Sequence, residues 1–133
     1  MLLFKDVSTD TYKGLSPEQS QRLFTQWYDW YERLAAAGKL AHGHPLESGG
    51  RVVSARGGRV MDGPFVEAKE VVGGYFYLTV ATLEEAVEIA KQCPTLQHDI
   101  GLTVEVRPVA GLCPVLSATA EEETRAKKIV AGS

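Results

Sequence analysis

Apolar and polar positions along this chain recur with two periods. Leu23, Trp27, Trp30 and Leu34 fall at spacings of four, three and four, and Phe24, Tyr28, Tyr31 and Ala35 repeat the pattern one residue later. Two adjacent stripes predict a helix from Pro17 to about Ala37, with a wide apolar face laid on a sheet. Ser16 suits its N-cap, Pro17 its first position and Gln19 the far side of a capping box, and Gly38 is the natural stop. A second helix opens on the box Thr82-Leu83-Glu84-Glu85, carries Leu83, Ala86, Val87 and Ala90 as its stripe, and ends at Pro94.

Elsewhere the period is two. Met1–Phe4 reads as an interior strand and Asp6–Leu15 as a loop. Leu40–Leu46 reads as a strand with His42 and His44 on the face of Leu40 and Leu46, and Pro45 marks it as an edge. Val52–Ala55 and Val60–Met61 flank Arg56-Gly57-Gly58-Arg59, a hairpin with glycines at its tip. Gly74–Val80 is the strongest strand. Phe76, Leu78 and Val80 line one face, and Tyr75, Tyr77 and Thr79 the other. A last strand alternates Leu102, Val104 and Val106 with Thr103, Glu105 and Arg107, after a loop holding His98 and Asp99. The order β-α-β-β-α-β, with an inserted hairpin, predicts an α+β fold. It is a ferredoxin-like sandwich, one antiparallel sheet with both helices on one face. A sheet of that kind leaves one face uncovered, so a two-fold homodimer burying that face is expected.

Composition narrows the function classes. With 44% hydrophobic and 23% charged residues among 133, the chain is an ordinary globular one, long enough for a real core. A net charge of −3 without a basic stripe argues against a nucleic-acid partner. No apolar run approaches membrane-spanning length, and Met1-Leu2-Leu3-Phe4 is too short for a signal peptide. Cys93 and Cys113 make no disulfide framework, which fits a cytoplasmic protein with each cysteine packed as a small apolar residue. Residues 1–109 form the expected domain. In 110–133, a linker precedes a polar helix from Thr119 to Val130, with favourable Glu121–Arg125 and Glu123–Lys127 spacings.

The centre of the sequence is Asp62-Gly63-Pro64-Phe65-Val66-Glu67-Ala68-Lys69-Glu70. Gly63 and Pro64 predict a sharp redirection there. This run, followed by Gly73-Gly74-Tyr75-Phe76, resembles the signature of the DGPF group of YCII-related proteins, with Ala68 where that group has Thr. Ala81–Pro94 and Val104-Glu105-Val106-Arg107-Pro108 resemble the family's second half. The resemblance implies a dimeric α/β-barrel type of ferredoxin-like fold with a poorly defined biochemical role, associated in this group with sigma-factor regulation. Some relatives resemble enzymes that use a His–Asp pair with the His on the first helix. Here the helix from Pro17 has no His, so that pair does not carry over.

Candidate chemistry is sparse. There is no phosphate loop, no nucleotide fingerprint and no Cys nucleophile with a His partner. His42 and His44 supply two metal ligands at most, so neither metal nor cofactor is expected. Asp62, Lys69 and His44 are expected to converge on one pocket, with His42 on its rim. Asp62 and His44 would be the acid–base pair, and Glu67, Lys69, Tyr75 and Arg107 would contact a small-molecule ligand. The same residues also suit structural work, with Asp62 accepting backbone N–H bonds at the turn and Glu67 and Lys69 as surface ion pairs. Two functions are therefore carried forward. One is a ligand-binding or regulatory dimer. The other is a cofactor-free acid–base enzyme, a lyase or isomerase acting on a small organic molecule.

Overall fold

A computed structural model describes residues 1–6, 12–65 and 71–111, together with Glu121, Thr124, Arg125 and Lys128 of the tail. The chain runs β1 (Leu2–Asp6), α1 (Pro17–Ala36), β2 (Leu40–Pro45), β3 (Arg51–Arg56), β4 (Arg59–Pro64), β5 (Val71–Leu78), α2 (Leu83–Ala90), a 3-10 turn (Pro94–His98) and β6 (Thr103–Val106). Strands β2, β5, β1 and β6 form one sheet in that order, and every neighbouring pair is antiparallel. This α+β architecture is compatible with the expected ferredoxin-like sandwich. Strands β3 and β4 make a separate two-stranded ribbon.

The capping box closes as the sequence predicts. Gln19 N–H donates to Ser16 Oγ at 3.1 Å, and Ser16 N–H donates to Gln19 Oε1 at 2.8 Å. Beyond the C-cap Ala37, Gly38 takes φ +72°, the left-handed turn that lets the chain leave the helix for β2. Thr82 caps α2 by accepting from Glu85 N–H at 3.1 Å.

The core lies on one face of the sheet. Leu2 and Phe4 of β1, Phe76 of β5 and Leu40 of β2 meet Trp30 and Leu34 of α1 and Ile89 and Ala90 of α2 in one cluster, so both helices cover that face. Phe4 anchors it, edge-on to Trp27 at 4.9 Å and to Phe76 at 5.0 Å between ring centroids. Edge-to-face pairs of this kind contribute roughly 0.5–1.5 kcal/mol beyond their buried area.

Several expectations need correction. On α1 the first stripe is buried against the sheet, and the second reaches it only at Tyr31, whose ring lies edge-on to Phe76 at 5.6 Å. Trp30 is 1% exposed, whereas Phe24 and Tyr28 of the second stripe are 67% and 55% exposed. One sheet surface cannot cover the whole angular width of both stripes. On α2 the buried residues are Ala86, Ile89 and Ala90, and Leu83 in the first turn faces outward. In β2 a register shift between Leu40 and His42 breaks the alternation. Leu40 turns into the core, while His42 and His44 stand opposite Tyr77 and Tyr75 on the other face. Asp6 ends β1 rather than opening a loop. Asp62, Gly63 and Pro64 do not redirect the chain. They continue β4 in register with Val53, Val52 and Arg51. A proline at the end of a strand in a two-stranded ribbon gives up no interior ladder bond. Among the described residues, Asp62 accepts no backbone turn bond. Its Oδ1 receives Arg51 Nη2 at 2.7 Å across the ribbon. Of the tail helix, the described residues Glu121, Thr124, Arg125 and Lys128 are helical, and the rest of that expectation lies outside the described residues.

Candidate functional site

A strand that alternates Leu2, Phe4 and Asp6 sets all three on the same side of the sheet, the side the helices cover. Leu2 and Phe4 are buried there. Asp6, at the strand's end, is half-buried where the core opens into a cleft of about 1000 Å³. The second stripe of α1, Phe24, Tyr28 and Tyr31, forms one wall of that cleft, and the end of β2 and start of β5 form the other. Phe4 and Phe76 belong to its buried lining and Trp27 is half-buried in it. His44, Glu47 and Phe65 belong to its exposed rim.

Two glycines let these elements close in. The ladder between β1 and β5 slips at Phe4 and Lys5, leaving Gly73 without a partner in β1 while its carbonyl accepts Leu46 N–H at 2.9 Å. A Cβ on Gly73 would stand 2.6 Å from Asp6 Oδ2, and one on Gly74 would stand 3.0 Å from the His44 carbonyl oxygen. Gly74, facing backbone, therefore requires the smallest residue, whereas a side chain at Gly73 would push the Asp6 carboxylate aside.

Tyr12 Oη donates to Asp6 Oδ1 at 3.3 Å. Burial raises the Asp6 carboxyl above its ordinary value, and the bond from Tyr12 only partly offsets this. Burial likewise pushes the Tyr12 phenol up to about 12, and the neighbouring Asp6 adds to the shift. The pair is thus a phenol that stays protonated beside a carboxyl whose charged form is disfavoured. Behind it, Trp27 Nε1 donates to the buried Thr95 Oγ1 at 2.8 Å, tying α1 to the 3-10 turn. Cys93 is fully buried as a thiol, raised to about 11 by desolvation.

The opposite face of the sheet carries a second polar group of side chains. His42 Nδ1 lies 3.1 Å from Tyr75 Oη, and its ring stacks on Tyr77 at 5.1 Å and 17°. Beside them Glu105 binds Lys5 at 3.2 Å and Arg107 at 3.3 Å, and these two cations hold its carboxyl below the ordinary value.

The expected site residues are therefore distributed. His44 and Tyr75 border the cleft, but their rings, with centroids 6.1 Å apart, stand on the open face with His42. His42 and Arg107 lie on the open face. Asp62 is paired with Arg51 on the ribbon and is not among the residues lining the cleft. Glu67 and Lys69 lie outside the described residues. Among the described residues, no three His, Cys, Asp or Glu side chains gather as a metal ion would need. Sequence reasoning missed Asp6, Tyr12 and the outer stripe of α1. The signal for Asp6 was present in the alternation that places it with Leu2 and Phe4, and in a glycine pair opening an otherwise strong strand. Chemically, the cleft offers aromatic walls for a flat apolar body and one polar end that can accept or exchange a proton.

Residues 1–110 match the family model of the YCII-related domain. The chain is also 31% identical over 114 residues to an uncharacterized protein of Rhizobium meliloti (strain 1021), a match spanning 83% of this chain and 90% of that protein.

Proposed function

This chain belongs to the YCII-related domain family, and on that premise we propose that it is a dimeric binding protein for a small, flat, largely apolar molecule. The observation that carries the reading is the cleft. It holds about 1000 Å³, has aromatic walls and keeps one half-buried polar pair, the composition that small-molecule sites share. His44 at the rim is the residue of the expected acid–base pair that lines it. The run Asp62-Gly63-Pro64-Phe65 supports a place within the DGPF group, and the strand order supports the ferredoxin-like assignment.

The test uses a neutral solvatochromic naphthyl ketone and the full chain. Its fluorescence should rise on binding, and the Phe24→Ala/Tyr28→Ala double variant should lose most of that rise while melting within a few degrees of the parent. A parent protein that leaves the dye's spectrum unchanged overturns the reading. The dimer rests on the open face, where Leu3, His42, Tyr75 and Tyr77 are half-buried without a covering helix among the described residues. Light scattering at micromolar concentration should give about twice the chain mass of 14.5 kDa, and a value near 14.5 kDa removes the dimer.

A second reading, acid–base catalysis on such a molecule, is favoured by the Asp6–Tyr12 pair, because a desolvated carboxyl in a cleft is a competent proton acceptor. In that case Asp6→Asn abolishes turnover of a substrate that the variant still binds.

A further inference from the structure

The charge of the cleft lining goes further than its shape. Among the described residues that line it, the groups carrying formal charge at neutral pH are Asp6 and Glu47, both acidic, and neither Lys nor Arg appears. Asp6 receives one hydrogen bond, from Tyr12 to Oδ1, and has no ion-pair partner among the described residues. Its Oδ2 lies over Gly73, in the space that a side chain there would take. A half-buried carboxylate with one satisfied oxygen and one open one is an unfinished ion pair. The surrounding walls are aromatic, and aromatic faces attract cations through their negative quadrupole.

We propose that the cleft takes an amphipathic organic cation, an ammonium group on a flat apolar body. The ammonium sits against Asp6 Oδ2, and the body lies between the outer stripe of α1 and the strand ends. This names the ligand class of the binding reading above and rests on it. Tyr12 is a positioning residue that orients the carboxylate, and Gly73, lacking a Cβ, gives the carboxylate its place at the cleft.

Three probes that share one skeleton separate the possibilities: phenethylammonium, phenethyl alcohol and 3-phenylpropionate. Binding to the full chain is read from tryptophan fluorescence, since Trp27 lines the cleft and Trp30 lies 5.4 Å from it. The ammonium should bind about tenfold or more tightly than the alcohol, which corresponds to one charge-assisted contact, and the carboxylate should bind weakest. Asp6→Asn should erase the preference for the ammonium while leaving affinity for the alcohol within about threefold. Should Asp6→Asn not fold, Gly73→Ala serves instead, because its Cβ displaces the carboxylate without removing its charge, and it should erase the same preference. Equal binding of all three probes, or a preference that survives both variants, overturns the cation assignment and leaves the cleft as a binding site. Preference for the carboxylate overturns it in favour of an anion. No response to any probe is a different failure, since it removes the binding reading itself.

Discussion

Helix α1 carries two stripes of nearly the same composition, one residue apart, and they have different fates. Leu23, Trp27, Trp30 and Leu34 turn toward the core, while Phe24, Tyr28 and Tyr31 line an open cleft. Hydrophobic periodicity reports where a helix is apolar. It does not report how much of that apolar surface the rest of the chain can cover. Large aromatic side chains left uncovered beside a cavity hold surface that a ligand or a partner can remove from water.

The contrast breaks most visibly at Trp30. Trp30→Ala should cost about 3–5 kcal/mol in a denaturant titration, because it empties the centre of the aromatic cluster. A loss under about 1 kcal/mol would mean that the inner stripe does not hold the fold. Gly43→Ala comes next. Its Cβ would stand 2.5 Å from Phe76 Cδ1 and 2.8 Å from the Tyr75 carbonyl oxygen, and overpacking against backbone should cost roughly 1–3 kcal/mol. Phe24→Ala and Tyr28→Ala, taken singly, should change stability by no more than about 0.5 kcal/mol, while each weakens probe binding. A large stability loss there would place the outer stripe in the core after all.

The smallest effect sharpens the comparison at Asp6. Its folded pKa is raised, so the folded state binds a proton more readily than the unfolded chain. Between the unfolded and folded values stability falls as pH rises, and above the folded value the buried charge remains a cost. Asp6→Asn should therefore raise the melting temperature slightly at pH 7 and flatten its slope just above the unfolded value near 3.9. A lower melting temperature at pH 7 would show that the carboxylate stabilises the fold rather than being held against it for binding.

The larger elements were legible in the sequence, because each is specified by local chemistry. Ser16, Gln19 and Gly38 bound α1 by hydrogen bonds and backbone conformation within a few residues. The paired glycines at the hairpin tip take φ +59° and +79°, as a two-residue loop demands. What the sequence concealed depends on registry between distant strands. The slip between Leu40 and His42 inverts the face of one residue, and no local pattern announces it. The slip at Gly73 opens room for Asp6, yet Asp6 and Gly73 are far apart in the chain. Asp62 was misread for a related reason. A Gly-Pro pair signals a turn in isolation, but pairing with Val52 and Arg51 holds both residues extended.

The β3–β4 ribbon has a consequence for how the molecule behaves in a crowded solution. It is exposed throughout, with Val53 and Val60 at 67% and 78%, and each of its strands presents an outer edge of backbone donors and acceptors. Such edges are templates on which other chains polymerise. Arg56 and Arg59 stand at its tip, placing like charges where two ribbons would align in register, while Arg51 at its base is paired with Asp62. The guard against such pairing thereby lies in two arginines remote from both the core and the cleft. Replacing Arg56 and Arg59 with neutral residues would leave fold and ligand binding intact while making the ribbon adhesive, so that storage life would fall before any melting curve moved.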